Sequence, residues 1–144
     1  LGYFILICIF IIFIVYVFTG HRSSQPQVKE TTIFSKSFND FSIICDSGAT
    51  NLQKQEAFKK FKNQYVEWSG KVSSISESSF GSGYTLQVKH CPSTFISDIM
   101  VTMKEDQKYK LLKYKEGDSI TYRAKLTRLG DILGLSADEG EIIG

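Results

Sequence analysis

The sequence predicts a mainly β domain: a five-stranded closed barrel with one short helix before its first strand and one between its third and fourth, all preceded by an apolar N-terminal helix. Three observations lead there. In residues 65–75, Val66, Trp68 and Val72 share one face of an extended chain, while Glu67, Ser69, Lys71 and Ser73 share the other. That period of two marks a half-buried strand. Gly70 interrupts the apolar face, and a glycine inside a strand marks a bulge or bend. A first strand that bends and pairs at both ends is what a small barrel needs. Four more apolar runs follow, with a helical stretch after the second of them.

Residues 1–20 carry no charge, although the chain holds 17 Lys+Arg and 15 Asp+Glu. As a helix, residues 1–18 reach roughly 27 Å, close to a hydrocarbon core of about 30 Å. Their β-branched content suits a strand in water, but lipid demands internal backbone hydrogen bonds, so helix is expected. Phe4, Ile5, Ile9, Ile12 and Phe13 offer its membrane or assembly surface, and Tyr16 sits where an interfacial ring is favoured. The run exceeds a signal-peptide core of about 7–15 residues, and no small-x-small pattern precedes His21, so an uncleaved anchor is expected. An apolar leading helix before a β-rich head also resembles pilin-type filament subunits. Ile5 stands where bacterial type IV pilins carry glutamate, which leaves an archaeal-like version open.

Residues 21–48 read as a linker and docking segment. Phe34, Phe38, Phe41, Ile43 and Ile44 are too apolar for a free tether and imply docking on the head or on a neighbouring subunit. The barrel domain spans 49–144. Thr50 or Asn51 caps a helix over 51–64, in which Ala57, Phe58, Phe61 and Tyr65 recur at three- and four-residue steps. Lys54, Lys59, Lys60 and Lys62 form its solvated face. After the Trp68 strand, a Ser/Gly-rich loop leads to a second strand with Tyr84, Leu86 and Val88 inward, ended by Pro92. Ile99, Val101 and Met103 define the third. Residues 106–114 form a short helix with Leu111 and Leu112 inward, and Gly117-Asp118 turns into the fourth strand of Ile120, Tyr122, Ala124 and Leu126. Ile132, Leu133, Leu135 and Ala137 begin the fifth. Asp138-Glu139-Gly140 is expected as a loop, with Ile142-Ile143 a last apolar contact.

Five strands with a helix between the third and fourth is the arrangement of an OB-fold. Phe61-Lys62-Asn63-Gln64-Tyr65-Val66, then Trp68-Ser69-Gly70-Lys71-Val72, resembles the tRNA-anticodon-like OB family. There, a helix ending Lys-x-x-x-Val precedes a strand Val-x-Gly-x-Val. The Gly117-Asp118 turn into the fourth strand fits the same pattern, and the resemblance covers about residues 51–143. It implies the fold, and a head often anchored by a signal peptide, lipid or helix. Its motifs are structural and name no function.

The chemistry is correspondingly sparse. A net charge of +2 is too small to argue for a polyanionic partner. Of three cysteines, Cys8 lies in the apolar run, while Cys45 and Cys91 either remain thiols or form a disulfide in an oxidising compartment. No Cys/His set has zinc-ligand spacing. His90 precedes Cys91, but neighbours on a strand point opposite ways, so no nucleophile–base dyad is expected. Asp138, Glu139 and Glu141 read as a solvated cluster, and the glycines near Gly81 lack a phosphate-loop lysine. Single-strand nucleic-acid sites on OB-folds need a positive groove and outward rings. Here Trp68, Tyr84 and Tyr122 share a face with aliphatics, and the outward positions offer Lys71, Thr85, Gln87, Lys89 and Thr102 as the candidate binding face.

The expectation is therefore a membrane-anchored binding or assembly module with no catalytic activity and no cofactor, its head outside the cytoplasm or at the cell surface. It would meet lipid or like subunits through residues 1–20 and a protein partner through the head. The alternatives are a filament with helices inside and OB heads outside, and a single-strand nucleic-acid binder.

Overall fold

The computed structural model describes residues 31–78, 83–93, 97–130 and 134–144. The expected apolar helix, with Phe4, Ile5, Ile9, Ile12, Phe13 and Tyr16, lies outside the described residues. Among the described residues, no helix is long and apolar enough to cross a membrane. Six strands are described: β1 (Ile33–Ser35), β2 (Tyr65–Glu77), β3 (Tyr84–Lys89), β4 (Ile99–Met103), β5 (Ser119–Gly130) and β6 (Gly134–Ile142). Two α-helices, α1 (Asn51–Phe58) and α2 (Lys108–Leu111), accompany them.

The barrel closes because β2 is long enough to serve both ends of the sheet. Its first half pairs with β5, Tyr65↔Lys125 through Lys71↔Ser119. Its second half pairs with β3, Lys71↔Lys89 through Glu77↔Tyr84. The sheet runs β2-β3-β4-β6-β5 and returns to β2. β4 and β6 are parallel and every other neighbour in the ring is antiparallel. This is a five-stranded OB barrel.

Alternation fills its interior. Val66, Trp68, Leu86, Val88, Val101, Tyr122, Ala124, Leu126 and Leu135 are wholly buried, and Tyr84 is packed at the edge of this core. Gly70 has a contact reason for being glycine. A Cβ there would stand 2.5 Å from Val88 Cγ1 and 2.8 Å from His90 Cε1. The bulge in β2 falls instead at Ser73, where pairing with β3 slips between Val72 and Ser74.

Four expectations are corrected. Five strands were expected, and the docking part of 21–48 adds a sixth: β1 lies parallel to the start of β2, Ile33↔Tyr65. The helix expected over 51–64 ends at Phe58. Thr50 and Gln53 close a capping box at its start, but Asn63 takes a φ of +63° and donates to the Leu126 carbonyl at 2.7 Å. The edge of β5 thus captures the chain before it can continue as helix. Leu111 is buried, whereas Leu112 is 71% exposed; consecutive helical residues lie about 100° apart, so one side of a one-turn helix takes only one of them. Residues 138–140, read as a loop, lie within β6. Glu139 there adopts a φ of +56°, and Gly140 lets the strand pass Met103 and Val101, where a Cβ would meet both within 2.6 Å.

The segment Phe38–Cys45, a 3₁₀ strap, closes one side of the barrel. Phe41 is buried against Phe58 and Phe61. Trp68 Nε1 donates to Ser35 Oγ at 2.9 Å, and Ser35 Oγ donates to Asp40 Oδ2 at 2.7 Å. Cys45 and Cys91 form a disulfide, with Cα atoms 5.3 Å apart, that fastens the strap beyond the end of β3.

Candidate functional site

Strand register brings the five sequence-derived face residues onto one outer surface. Thr85 pairs with Thr102 and Gln87 with Met100 across β3–β4, while Lys71 pairs with Lys89 across β2–β3. Paired residues project to the same side, opposite the buried Leu86, Val88, Ile99 and Val101. Ser74 and Ser76 of β2 extend the rows beside Gln87 and Thr85. The surface is built of hydroxyls, an amide and ammonium groups, with Met100 its one long apolar side chain. Gln87 accepts from Ser97 Oγ at 3.0 Å. Among the described strand residues that face outward on it there is no ring.

At one corner of this surface lies a notch of about 340 Å³. It exists because β3 joins β2 only from Lys71 onward, whereas β1 covers only Tyr65 and Val66. The β2 edge between them is left to the strap and to His90. Phe38 and His90 stack as one wall, with ring centroids 4.1 Å apart and planes at 7°. Gly70 is the floor, and Asn39, Ser69, Lys71, Lys89 and Ser119 form the rim. Lys71 Nζ donates to Ser119 Oγ at 2.8 Å, and the Ser69 and Thr121 hydroxyls share a hydrogen bond of 2.7 Å.

His90 is a structural base here. Its Nε2 lies 2.9 Å from the Tyr122 hydroxyl, its ring bonds the Ser69 backbone, and burial pushes its pKa down to about 4 despite the nearby Asp98 carboxylate. Burial raises the Tyr122 hydroxyl well above its ordinary value. The Asp98 carboxylate accepts from the His90 and Cys91 amides. Cys91 is spent in the disulfide, so the His90-Cys91 neighbours hold no thiolate.

The opposite side of the barrel is electrostatically closed. Arg123 bonds Glu67 at 3.0 Å and faces Glu141 at 3.9 Å, and Lys104 also pairs with Glu141. Lys125 lies 3.8 Å from Glu139. Tyr65 donates to Glu139 as well, and that bond holds the Tyr65 proton above its usual pKa. Glu139 and Glu141 of β6 thus serve cross-strand pairing. A second cavity, of about 320 Å³, lies between α2 and the far ends of β2 and β3, against Ile75, Tyr84 and Leu112.

Sequence reasoning found Lys71 and Lys89 but not the notch. Ser69 and Ser119 follow from strand phase, since both precede inward residues. Phe38, Asn39 and His90 arrive through the strap and a strand end, and no period announces them. The usable signal was Gly70, whose missing side chain marks the place where His90 sits.

No family model matches the sequence, and no curated protein matches it. Solved structures share the fold. A Klebsiella pneumoniae protein provisionally described as a nucleic acid-binding lipoprotein superposes with a TM-score of 0.54 at 12% identity, over 78% of this chain and 92% of that one. Weaker likenesses include the Stn1–Ten1 complex of S. pombe, with TM-score 0.39 and 13% identity over 55% and 57% of the two chains. Fission yeast Pot1 with single-stranded DNA gives 0.38 and 13% over 64% and 43%. At such identities the likeness shows the fold alone.

Proposed function

We propose that this chain is a non-catalytic OB-fold binding and assembly module of the tRNA-anticodon-like type. Residues 1–20 hold it at a membrane, and its head works outside the cytoplasm on a protein partner. The observation that carries the reading is the polar outer surface of β2–β3–β4 around Thr85, Gln87 and Thr102, whose described strand residues include no ring, beside an interior filled by Trp68 and Tyr122. Recognition is therefore assigned to the outside. A disulfide between Cys45 and Cys91 suits an oxidising compartment, and the lipoprotein description of the Klebsiella neighbour agrees with an anchored head.

The test is site-specific photo-cross-linking of the full chain in its native membrane. A probe at Gln87 or Thr102 is expected to give a discrete protein adduct that a probe at Lys54 on α1 does not. Equal labelling from both sites contradicts the reading. Long polymers released by shearing, in place of detergent-soluble particles, favour the filament alternative.

Single-strand nucleic-acid binding is a second reading, favoured by the description of that same neighbour. Against it stand the net charge of +2 and a face whose described strand residues offer no stacking ring. It requires salt-sensitive oligonucleotide binding, and no mobility shift at low salt removes it.

A further inference from the structure

We infer that the notch beside Gly70 binds the dianionic head of a phosphomonoester, gripped by Lys71 and Lys89. This rests on the reading of the outer β2–β3–β4 surface as the binding side and gives one corner of it a ligand class.

Lys71 and Lys89 are directly opposed across β2–β3, which places their Cβ atoms about 4.5–5.5 Å apart and sets like charges against each other. Several other charges of the barrel are paired: Lys104 and Arg123 with Glu141, and Lys125 with Glu139. Among the described residues, no ion pair joins Lys71 or Lys89 to a carboxylate, and no carboxylate lines the notch. Asp98 lies below it, accepting from two backbone amides. An anion on the rim removes the repulsion that the register imposes.

Asn39, Ser69 and Ser119 add neutral donors to the two ammonium groups. Lys71 donates to Ser119 Oγ, so the Ser119 hydroxyl keeps its own proton for another acceptor. These groups exceed the roughly four lone-pair sites of one carboxylate. The three terminal oxygens and double charge of a phosphomonoester match them. A phosphodiester carries one charge fewer, so an oligonucleotide backbone is the poorer fit.

Gly70 makes the floor and has no space for a side chain, while the Phe38–His90 stack walls one side with an uncharged surface. A volume of about 340 Å³ admits a head group and part of what it is attached to. The same chemistry is found in soluble phosphomonoesters and in a phosphatidate head group.

The experiment uses the full chain in neutral detergent at pH 7.5, with thermal unfolding followed by the Trp68 emission. Inorganic phosphate is expected to raise Tm saturably, on the order of 8 °C at a hundredfold excess over Kd, relative to chloride of equal ionic strength. Lys71→Gln with Lys89→Gln is expected to abolish that rise, and to raise Tm without ligand because the repulsion is gone. Glycerol 3-phosphate and dihexanoyl phosphatidate then separate the sources: the tighter of the two, each lost in the double variant, names the natural one. A rise that chloride reproduces, or that survives the double variant, overturns the inference. Thr85→Ala with Gln87→Ala is expected to keep the phosphate response. If the response fails while cross-linking from Gln87 persists, the notch assignment falls and the binding-face reading stands.

Discussion

His90 is held on several sides: Phe38 stacks on it, Trp68 meets it edge-on with centroids 6.1 Å apart, and the Tyr122 hydroxyl and Ser69 backbone occupy its polar edges. Burial therefore costs the imidazolium more than the imidazole. The folded value lies near 4 against 6.5 for the free side chain. Between those values the unfolded chain binds the extra proton, so stability rises with pH there. The contribution is complete above pH 6.5 and is lost as pH falls towards 4, amounting to about 3 kcal/mol. Urea unfolding at pH 7.5 and 4.5 should show a loss on acidification that is markedly smaller in His90→Gln. Equal losses in the two proteins would place the acid sensitivity elsewhere. Single residues were unevenly legible in the sequence. Trp68 and Tyr122 announced their burial through strand phase, and both are wholly buried. Leu112 could not, because a helix of one turn has too few residues to define a face. The partner of Gly70 could not either, since it lies 20 positions along the chain at His90.

Among the elements, the strap Phe38–Cys45 has the least regular structure and the most consequence. It has no α-helical ladder of its own, and it holds its place through Phe41 in the core, Phe38 on His90, the Ser35–Asp40 bond and one disulfide. Cys45 and Cys91 are 46 residues apart, and losing a link over such a loop costs roughly 2–5 kcal/mol. Reduction, or Cys45→Ser with Cys91→Ser, is expected to release the strap before the barrel. In hydrogen exchange the amides of 38–46 should lose protection first, with β2–β6 opening only at higher denaturant. Simultaneous loss throughout would mean that the strap is part of the barrel's cooperative unit. The apolar spacing of Phe34, Phe38 and Phe41 was readable as docking, but β1 was not. A strand of 3 residues is recognised by what it pairs with, and its own composition carries no period. The same holds for residues 138–140, whose turn-like composition is overridden by pairing with β5, Lys125↔Asp138 and Arg123↔Glu141.

At the scale of the whole molecule, one long bent strand shared between two neighbours forces the sheet to close, and closure leaves no open edge along the ring. The parallel β4–β6 pairing that completes the ring joins segments more than thirty residues apart, and no local pattern encodes it. The alternation of the first four barrel strands, and of Leu135 and Ala137 in the fifth, was legible because burial on one side is a local property. Closure also divides the surface. The β5–β6 side is knitted by Glu67, Arg123, Glu141 and Lys104, whereas on the β2–β3–β4 side the opposed Lys71 and Lys89 join no ion pair among the described residues. That division depends on an interior packed around the chain's single tryptophan. The most direct measurement is the emission maximum and acrylamide quenching of Trp68 in the full-length protein at neutral pH. A blue-shifted emission that acrylamide scarcely quenches is the predicted result. Emission of a hydrated indole, quenched as freely as in the denatured chain, would contradict a closed barrel and, with it, the assignment of binding to its outer face.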